Sequence, residues 1–184
     1  LGYYLRSGSA VESEEHAGAS HFLEHLVFKG THSRSTSDIA RIIENAAMIK
    51  PNLEESVWVA IRPIIISGIS MAVAGSSRPT SGSEHMFSHY LDNIAPGKAL
   101  HGEQCGVGSI MMMYLHGGDW HRIKEALQMI GAPTTAKDLG VTREQLIEAL
   151  VHAHEIRKDR YTILGDRGLA SDAAARLATI TKVI

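Results

Sequence analysis

Residues 81–104, SGSEHMFSHYLDNIAPGKALHGEQ, are the stretch that decides the fold. His85 and His89 are four residues apart, so on a helix they share one face. Pro96-Gly97 marks a turn, and His101 begins the next helix. Two helices that meet at a turn can bring His85 and His101 to one point, where two imidazoles bind a metal ion. The alternative is that these histidines are polar side chains around a loop.

Helical patterns continue on both sides of this stretch. Upstream, Asn52-Leu53-Glu54-Glu55 has the form of a capping box that opens a helix, and Pro63 kinks that helix or starts a new one. The apolar run 63–75 predicts a buried core helix. Asp119 and Ser171 are the predicted N-caps of later helices. The chain is therefore expected to be all-helical from residue 52 onward, with further helices at 83–92, 98–116, 119–130, 142–156 and 171–182.

Composition limits the classes of partner. A chain of 184 residues with 44% hydrophobic residues supports one globular domain, or one domain with an appendage. A net charge of −2 and 5% aromatic residues give no reason to expect nucleic acid or an anionic membrane as a partner. The run 63–75 is too short to span a bilayer. The single cysteine, Cys105, excludes an internal disulfide, which makes a cytoplasmic location the default, and it is most simply a small buried residue.

Four segments carry a family resemblance: 74–85 (AGSSRPTSGSEH), 99–108 (ALHGEQCGVG), 131–135 (GAPTT) and 160–165 (RYTILG). They resemble the glycerol-1-phosphate dehydrogenase family of archaeal type, which is related to glycerol dehydrogenase and the iron-containing alcohol dehydrogenases. The resemblance implies that residues 49–184 form a mainly α, helical metal-binding domain of the dehydroquinate synthase and iron-alcohol-dehydrogenase type. His85 and His101 would then be zinc ligands, and His89 a substrate contact. Arg78 would contact the substrate phosphate, or would anchor its loop through an ion pair.

The function implied by this resemblance is a zinc-dependent, NAD(P)-linked reduction of dihydroxyacetone phosphate to glycerol-1-phosphate for archaeal-type lipid synthesis. The partner would be a small phosphorylated polyol or ketone, and a homo-oligomer fits the same interpretation. The family takes its third zinc ligand from an upstream aspartate and its nicotinamide site from a nucleotide-binding domain. No Gly-rich loop between a strand and a helix is found here, and the glycines at 102, 106 and 108 indicate close helix packing instead. The chain is therefore expected to be inactive by itself.

A second histidine cluster lies near the start of the chain. His21, Glu24 and His25 form an H-x-x-E-H pattern, in which two histidines of one helix face could bind zinc and the glutamate could act as base. Residues 17–31, AGASHFLEHLVFKGT, resemble the pitrilysin, insulinase and mitochondrial processing peptidase family. That family needs a third ligand, a glutamate about 75 residues further on. Glu103 lies near that distance but belongs to the other motif, so a competent peptidase site is not expected.

The two resemblances divide the chain into a strand-loop-helix fragment of an αβ peptidase domain, residues 1–48, and the helical domain, residues 49–184. Three functions follow from this division. The first is a partial dehydrogenase-like oxidoreductase, and the second is a zinc metalloendopeptidase. The third is a non-catalytic chimeric chain that combines pieces of both.

Overall fold

The computed structural model describes residues 54–184, and these residues are mainly helical with no β-strand among them. The expectation of an all-helical domain is confirmed for this part of the chain. The predicted strand-loop-helix fragment lies outside the described residues. The α-helices, followed along the chain, are α1 (Glu54–Ala74), α2 (Ser83–Ile94), α3 (His101–Leu115), α4 (Trp120–Met129), α5 (Arg143–His152) and α6 (Ser171–Ile180), with a short 3-10 helix (Ala153–Glu155) directly after α5.

The chain divides into two compact units, residues 1–80 and residues 81–184. Helix α1 belongs to the first unit, and helices α2 to α6 belong to the second. The predicted domain limits, 1–48 and 49–184, lie partly outside the described residues and stay a prediction.

Helix α1 is continuous from Glu54 to Ala74, so Pro63 does not start a separate helix. The prediction that the run 63–75 is buried is wrong for the apolar side chains that can be assessed. Ile65, Ile69 and Val73 are 54%, 58% and 78% exposed. An apolar helix is expected to pack against other parts of a protein, but its own sequence does not identify those parts. Within residues 54–184, no helix has the combination of length and apolarity needed to cross a membrane.

Short polar contacts define where the later helices begin. The Asp119 carboxylate accepts a hydrogen bond from the backbone N–H of Arg122, which confirms it as the N-cap of α4. Thr142 caps α5 in the same way, and Gln145 reaches back to the Thr142 N–H to complete a capping box. The prediction for Ser171 is wrong, because Ala170 occupies the N-cap position of α6 and Ser171 is its first residue.

The core of the second unit is built around α2. This helix packs against α3 and α5, α3 also packs against α4, and α5 packs against α6. Fully burying a large apolar side chain stabilises the fold by roughly 1.5–3 kcal/mol. The buried apolar side chains of α2 and its neighbours include Met86, Phe87, Leu91, Val107, Ile110, Met111, Leu146 and Leu150.

Gly108 sets how closely α2 and α3 approach. A Cβ at this position would lie 3.1 Å from Cδ1 of Phe87 and 3.2 Å from the backbone Cα of Glu84. The expectation that the glycines of α3 serve close helix packing is thus confirmed at Gly108. A Cβ added at Gly102 would meet nothing within 4 Å, so that glycine has no packing role.

Candidate metal centre

Glutamates at the starts of α2 and α3 hold the first turns of both helices. The Glu84 carboxylate accepts a hydrogen bond of 2.9 Å from the backbone N–H of Gly82, just before α2. The Glu103 carboxylate accepts one of 2.8 Å from the N–H of Leu100, just before α3. Each contact satisfies a backbone donor that a helix start leaves without an intrahelical partner. The two caps therefore fix the turns that carry His85 and His101.

The structure brings His85, His89 and His101 together, and the closest approach is between His85 and His101, the pair expected to meet across the turn. His85 Nδ1 lies 2.9 Å from His101 Nε2, with ring centroids 4.9 Å apart. The His89 ring stacks on His101 at 5.1 Å. The helical pair itself, His85 and His89, is wider, at 6.4 Å between centroids. The close pair is therefore formed between α2 and α3.

Cys105 joins the close pair as a third donor. Its Sγ lies 3.6 Å from His101 Nε2, and one donor atom each from His85, His101 and Cys105 falls within 4.8 Å of the other two. Cys105 follows His101 by four residues on α3. The i, i+4 rule that placed His85 and His89 on one helix face could therefore also have placed this thiol beside His101. The sequence interpretation of Cys105 as a buried filler missed this position, since the side chain is only partly buried.

A second set of donors shares His101 with the first. His89, Asp92 and His101 also offer ligand atoms within 4.8 Å of one another. Asp92, however, accepts a hydrogen bond of 2.9 Å from the side-chain amide of Gln104. The set that contains Cys105 includes the closest approach between donor atoms, the 2.9 Å between His85 and His101, so it is the better candidate.

One of the two distances between donor atoms already matches a bound zinc ion. Two imidazole nitrogens bound to one tetrahedral zinc are roughly 3.3 Å apart, and a nitrogen and a thiolate sulfur roughly 3.5–3.6 Å apart. The observed 3.6 Å between Cys105 and His101 meets the second value. The observed 2.9 Å between His85 and His101 requires the two rings to separate slightly. Two imidazoles and one thiol are also the donor types that zinc prefers.

The protonation states of these groups suit a metal site. Burial lowers the pKa of His85, the neighbouring His101 and His89 lower it further, and Glu84 opposes the shift. Burial also lowers the pKa of His89, with His101 and Arg157 acting in the same direction. Both rings are thus held in the neutral form that a metal ligand requires. Burial raises the pKa of the Cys105 thiol to about 12, so a metal must displace its proton.

Two arginines lie near the histidines, and the carboxylates of Glu84 and Asp92 oppose their effect. Arg157 and Arg160 lie close enough that their charges lower the pKa values of His89 and His85 respectively. Arg160 also donates a hydrogen bond of 2.5 Å to the carbonyl of Ser81, which ties the 156–165 segment to the residues before α2. Sequence reasoning missed Arg157, which no motif marks.

The remaining predicted site residues are Arg78 and the peptidase residues. Arg78 is partly buried in the turn after α1, where its backbone N–H donates to Ser76 Oγ, and its role as a phosphate contact stays a prediction. The predicted peptidase residues His21, Glu24 and His25 lie outside the described residues.

Known proteins resemble this chain in two ways. A glycerol-1-phosphate dehydrogenase [NAD(P)+] of Methanothermobacter thermautotrophicus is 58% identical over 167 residues, which cover 88% of this chain. Its counterpart from Methanosarcina acetivorans is 61% identical over 143 residues, or 78% of this chain. The chain is similar to glycerol-1-phosphate dehydrogenases over most of its length. Residues 1–50 match a different family, Insulinase (Peptidase family M16).

The two similarities differ in extent. The chain spans about half the length of the dehydrogenases it matches, 48% of the Methanothermobacter protein and 40% of the Methanosarcina one. The enzyme of Methanobrevibacter smithii, 50% identical over 88% of this chain, shows the same partial coverage. Residues 51–184 are too few to make up 88% of the chain, so these matches extend into residues 1–50.

Proposed function

We propose that residues 81–184 form the metal and substrate site of a glycerol-1-phosphate dehydrogenase-like oxidoreductase. Its reaction would be the NAD(P)-linked reduction of dihydroxyacetone phosphate to glycerol-1-phosphate, in a helical domain of the dehydroquinate synthase and iron-alcohol-dehydrogenase type. The observation that carries the proposal is the 2.9 Å approach of His85 Nδ1 and His101 Nε2 from two different helices. The names of relatives at 50–61% identity supply the reaction.

His85 and His101 would hold the zinc ion, with Cys105 as the third donor that the described residues offer. When bound, zinc supplies a Lewis acid that polarises the substrate oxygen, while the nicotinamide carries the hydride. The chain itself contributes neutral imidazoles that are already close together. This preorganisation reduces the conformational cost of binding the ion.

His89 would contact the substrate. Its ring stacks on His101 and is only partly buried, so it lies beside the metal ligands while remaining accessible. Its lowered pKa keeps it neutral near pH 7, and the ring N–H of a neutral imidazole can donate a hydrogen bond to the substrate oxygen. Arg157 would add positive potential that attracts the substrate phosphate, together with the predicted contact from Arg78.

Hydride transfer needs a nicotinamide site, and no Gly-rich loop joins a strand to a helix within residues 54–184. We therefore propose that residues 81–184 bind metal and substrate and that turnover requires a nucleotide site outside the described part of the chain. A cytoplasmic location and a homo-oligomeric state remain predictions that accompany this function.

Zinc titration by calorimetry tests the proposal, followed by titration of dihydroxyacetone phosphate into the zinc-loaded chain. We expect one zinc ion per chain at this site, and we expect phosphate-ester binding to depend on it. The double variant His85→Ala/His101→Ala should lose both. His121→Ala is the matched control, because His121 is an exposed histidine on α4. Zinc stoichiometry that is unchanged in the double variant would overturn the proposal.

A zinc metallopeptidase is the second candidate, because residues 1–50 match the insulinase family. Its ligands would be His21 and His25, with Glu24 as the general base. Peptide hydrolysis that disappears in Glu24→Gln and persists in His101→Ala would support it. A chain with neither phosphate-ester binding nor hydrolysis would fit the third hypothesis, a non-catalytic combination of both segments.

A further inference from the structure

Three hydrogen bonds run from Asp92 to the candidate metal ligand His101. The side-chain amide of Gln104 donates to Asp92 Oδ1 at 2.9 Å. Ser88 Oγ donates to Gln104 Oε1 at 2.5 Å and also lies 2.7 Å from His101 Nδ1. Asp92 and Ser88 lie on α2, while Gln104 and His101 lie on α3. Each of the three bonds therefore crosses between the two helices that form the site.

The direction of each hydrogen bond is determined from the Asp92 end. A carboxylate accepts hydrogen bonds, so the NH2 group of Gln104 must face it. The carbonyl of Ala99 accepts from the same nitrogen at 3.5 Å, which supports this orientation of the amide. The Oε1 atom of Gln104 consequently faces Ser88, and because it can only accept, the single hydroxyl hydrogen of Ser88 is used there.

That leaves Ser88 Oγ as an acceptor toward His101. The Nδ1 atom of His101 must carry the hydrogen in this bond, so in the neutral ring Nε2 carries the lone pair. The Cys105 thiol also lies near the Ser88 hydroxyl, which opposes the rise in the pKa of that thiol, but sulfur is a weaker acceptor than the Gln104 carbonyl. The Nε2 atom is the one that faces His85 Nδ1 and Cys105 Sγ.

Burial protects this arrangement from water. Ser88 and Gln104 are both 0% exposed. A reversed hydrogen bond at either residue would leave a buried donor facing a donor, or an acceptor facing an acceptor, with no solvent to relieve it. The hydrogen bonds therefore favour one tautomer of His101 over the other.

We propose that Asp92, Gln104 and Ser88 are positioning residues that hold His101 in its Nδ1–H tautomer and so leave Nε2 ready to bind a metal ion. The inference rests on the proposed function only in taking His101 as a metal ligand. A purely structural role for Gln104, joining α2 to α3, would predict no effect of these residues on the tautomer.

Imidazole nitrogen NMR of the full chain tests the tautomer without metal or activity. In the metal-free protein, above the pH at which the ring becomes neutral, we expect a protonated Nδ1 and an unprotonated Nε2 for His101. Ser88→Ala removes the acceptor, so we expect the Nε2–H tautomer to become populated. Zinc affinity should fall about 10- to 100-fold, as is typical when a group that orients a metal-bound histidine is lost.

Thr181→Val is the matched control. Thr181 is also 0% exposed, and its hydroxyl donates 2.8 Å to the carbonyl of Leu177, far along the chain from the site. This variant should leave both the His101 tautomer and zinc affinity unchanged. If Ser88→Ala does not fold, Asp92→Asn serves instead, because it keeps the shape of the side chain and removes the group that imposes the direction of the bonds.

The outcomes separate the two proposals. A wild-type His101 in the Nε2–H form, or a tautomer unchanged in both Ser88→Ala and Asp92→Asn, would overturn the inference even if zinc binds. If the expected tautomer is found and shifts in the variants, while His101→Ala leaves zinc binding intact, the positioning chain stands and the proposed metal site fails.

Discussion

Helices α1 and α2 are consecutive along the chain, and the one with the higher apolar content has the more exposed apolar side chains. Helix α1 is the more apolar of the two, yet many of its large apolar side chains are exposed, among them Val57, Trp58, Ile65, Ile66, Ile69 and Val73. Helix α2 alternates polar and apolar residues, and its Met86, Phe87 and Leu91 are at most 1% exposed. The burial of a helix side chain depends on how the apolar residues are arranged around the helix, and the apolar content of the helix alone does not predict it.

The largest test of this comparison is the removal of a buried side chain from α2. Phe87→Ala should lower the free energy of unfolding by about 3–5 kcal/mol, because Phe87 is 0% exposed and packs against Gly108. Chemical denaturation monitored by circular dichroism measures the change. A loss below about 1 kcal/mol would contradict the role of this face as the centre of the core.

Substitutions on the polar face of α2 and at the start of α3 should change the affinity for zinc rather than the free energy of unfolding. His101→Ala should weaken zinc binding on the order of 100-fold or more, beyond the roughly 10- to 100-fold typical of residues that only orient a ligand. His89→Ala should change zinc affinity little, since His89 is a proposed substrate contact. Competition with a chromophoric chelator measures both constants, and equal losses in the two variants would show that the histidines are not divided in this way.

Cys105→Ala tests the third donor. We expect zinc affinity to fall about 10- to 100-fold, less than on loss of His101, because the thiol must release a proton to bind. Cobalt is a spectroscopic substitute for zinc, and a thiolate-to-cobalt charge-transfer band in the wild-type chain should vanish in the variant. A cobalt spectrum without that band would remove Cys105 from the ligand set.

Gly108→Ala tests how tightly the two helices pack. The added methyl group meets the Glu84 backbone at 3.2 Å, and such overpacking costs about 1–3 kcal/mol, partly offset by about 1 kcal/mol of gained helix propensity. The net result should be a loss of unfolding free energy. Gly102→Ala is the control on the same helix, with open space around it, and it should be neutral or stabilising. If Gly102→Ala were destabilised and Gly108→Ala were not, Gly108 would not be the position at which the two helices pack most tightly.

The smallest effect is expected on α1. Val73 is 78% exposed, so Val73→Ser should change the unfolding free energy by no more than about 0.5 kcal/mol. Thermal unfolding of the full chain measures this. A loss of several kcal/mol would mean that this apolar face is covered in solution, which would break the comparison with α2.

Local rules predicted much of the helical part. Apolar spacing and capping residues such as Asp119 placed the helices of the second unit within a few residues of their observed ends. The histidine motifs also predicted that His85 and His101 would meet. The packing role expected of the α3 glycines was confirmed at Gly108 and was wrong at Gly102.

What local rules missed depends on contacts between helices. Ser88 and Gln104 became part of the candidate site only because α3 packs against α2 so that these two side chains meet. From sequence alone, a short polar side chain on a helix is predicted to be exposed until its partner on the other helix is known. The exposure of α1 was missed for a related reason, because burial is a property of the neighbours of a helix as much as of its own sequence.

The capped starts of α2 and α3 have an electrostatic consequence. A helix start carries roughly half a positive elementary charge, and here two such ends lie beside the same histidines. This potential disfavours a bound cation and favours an anion. The carboxylates of Glu84 and Glu103, bonded at those two starts, offset the repulsion. The same carboxylates weaken the pull of the helix ends on a phosphate, so a metal ion held there would itself supply most of the attraction for a phosphorylated substrate.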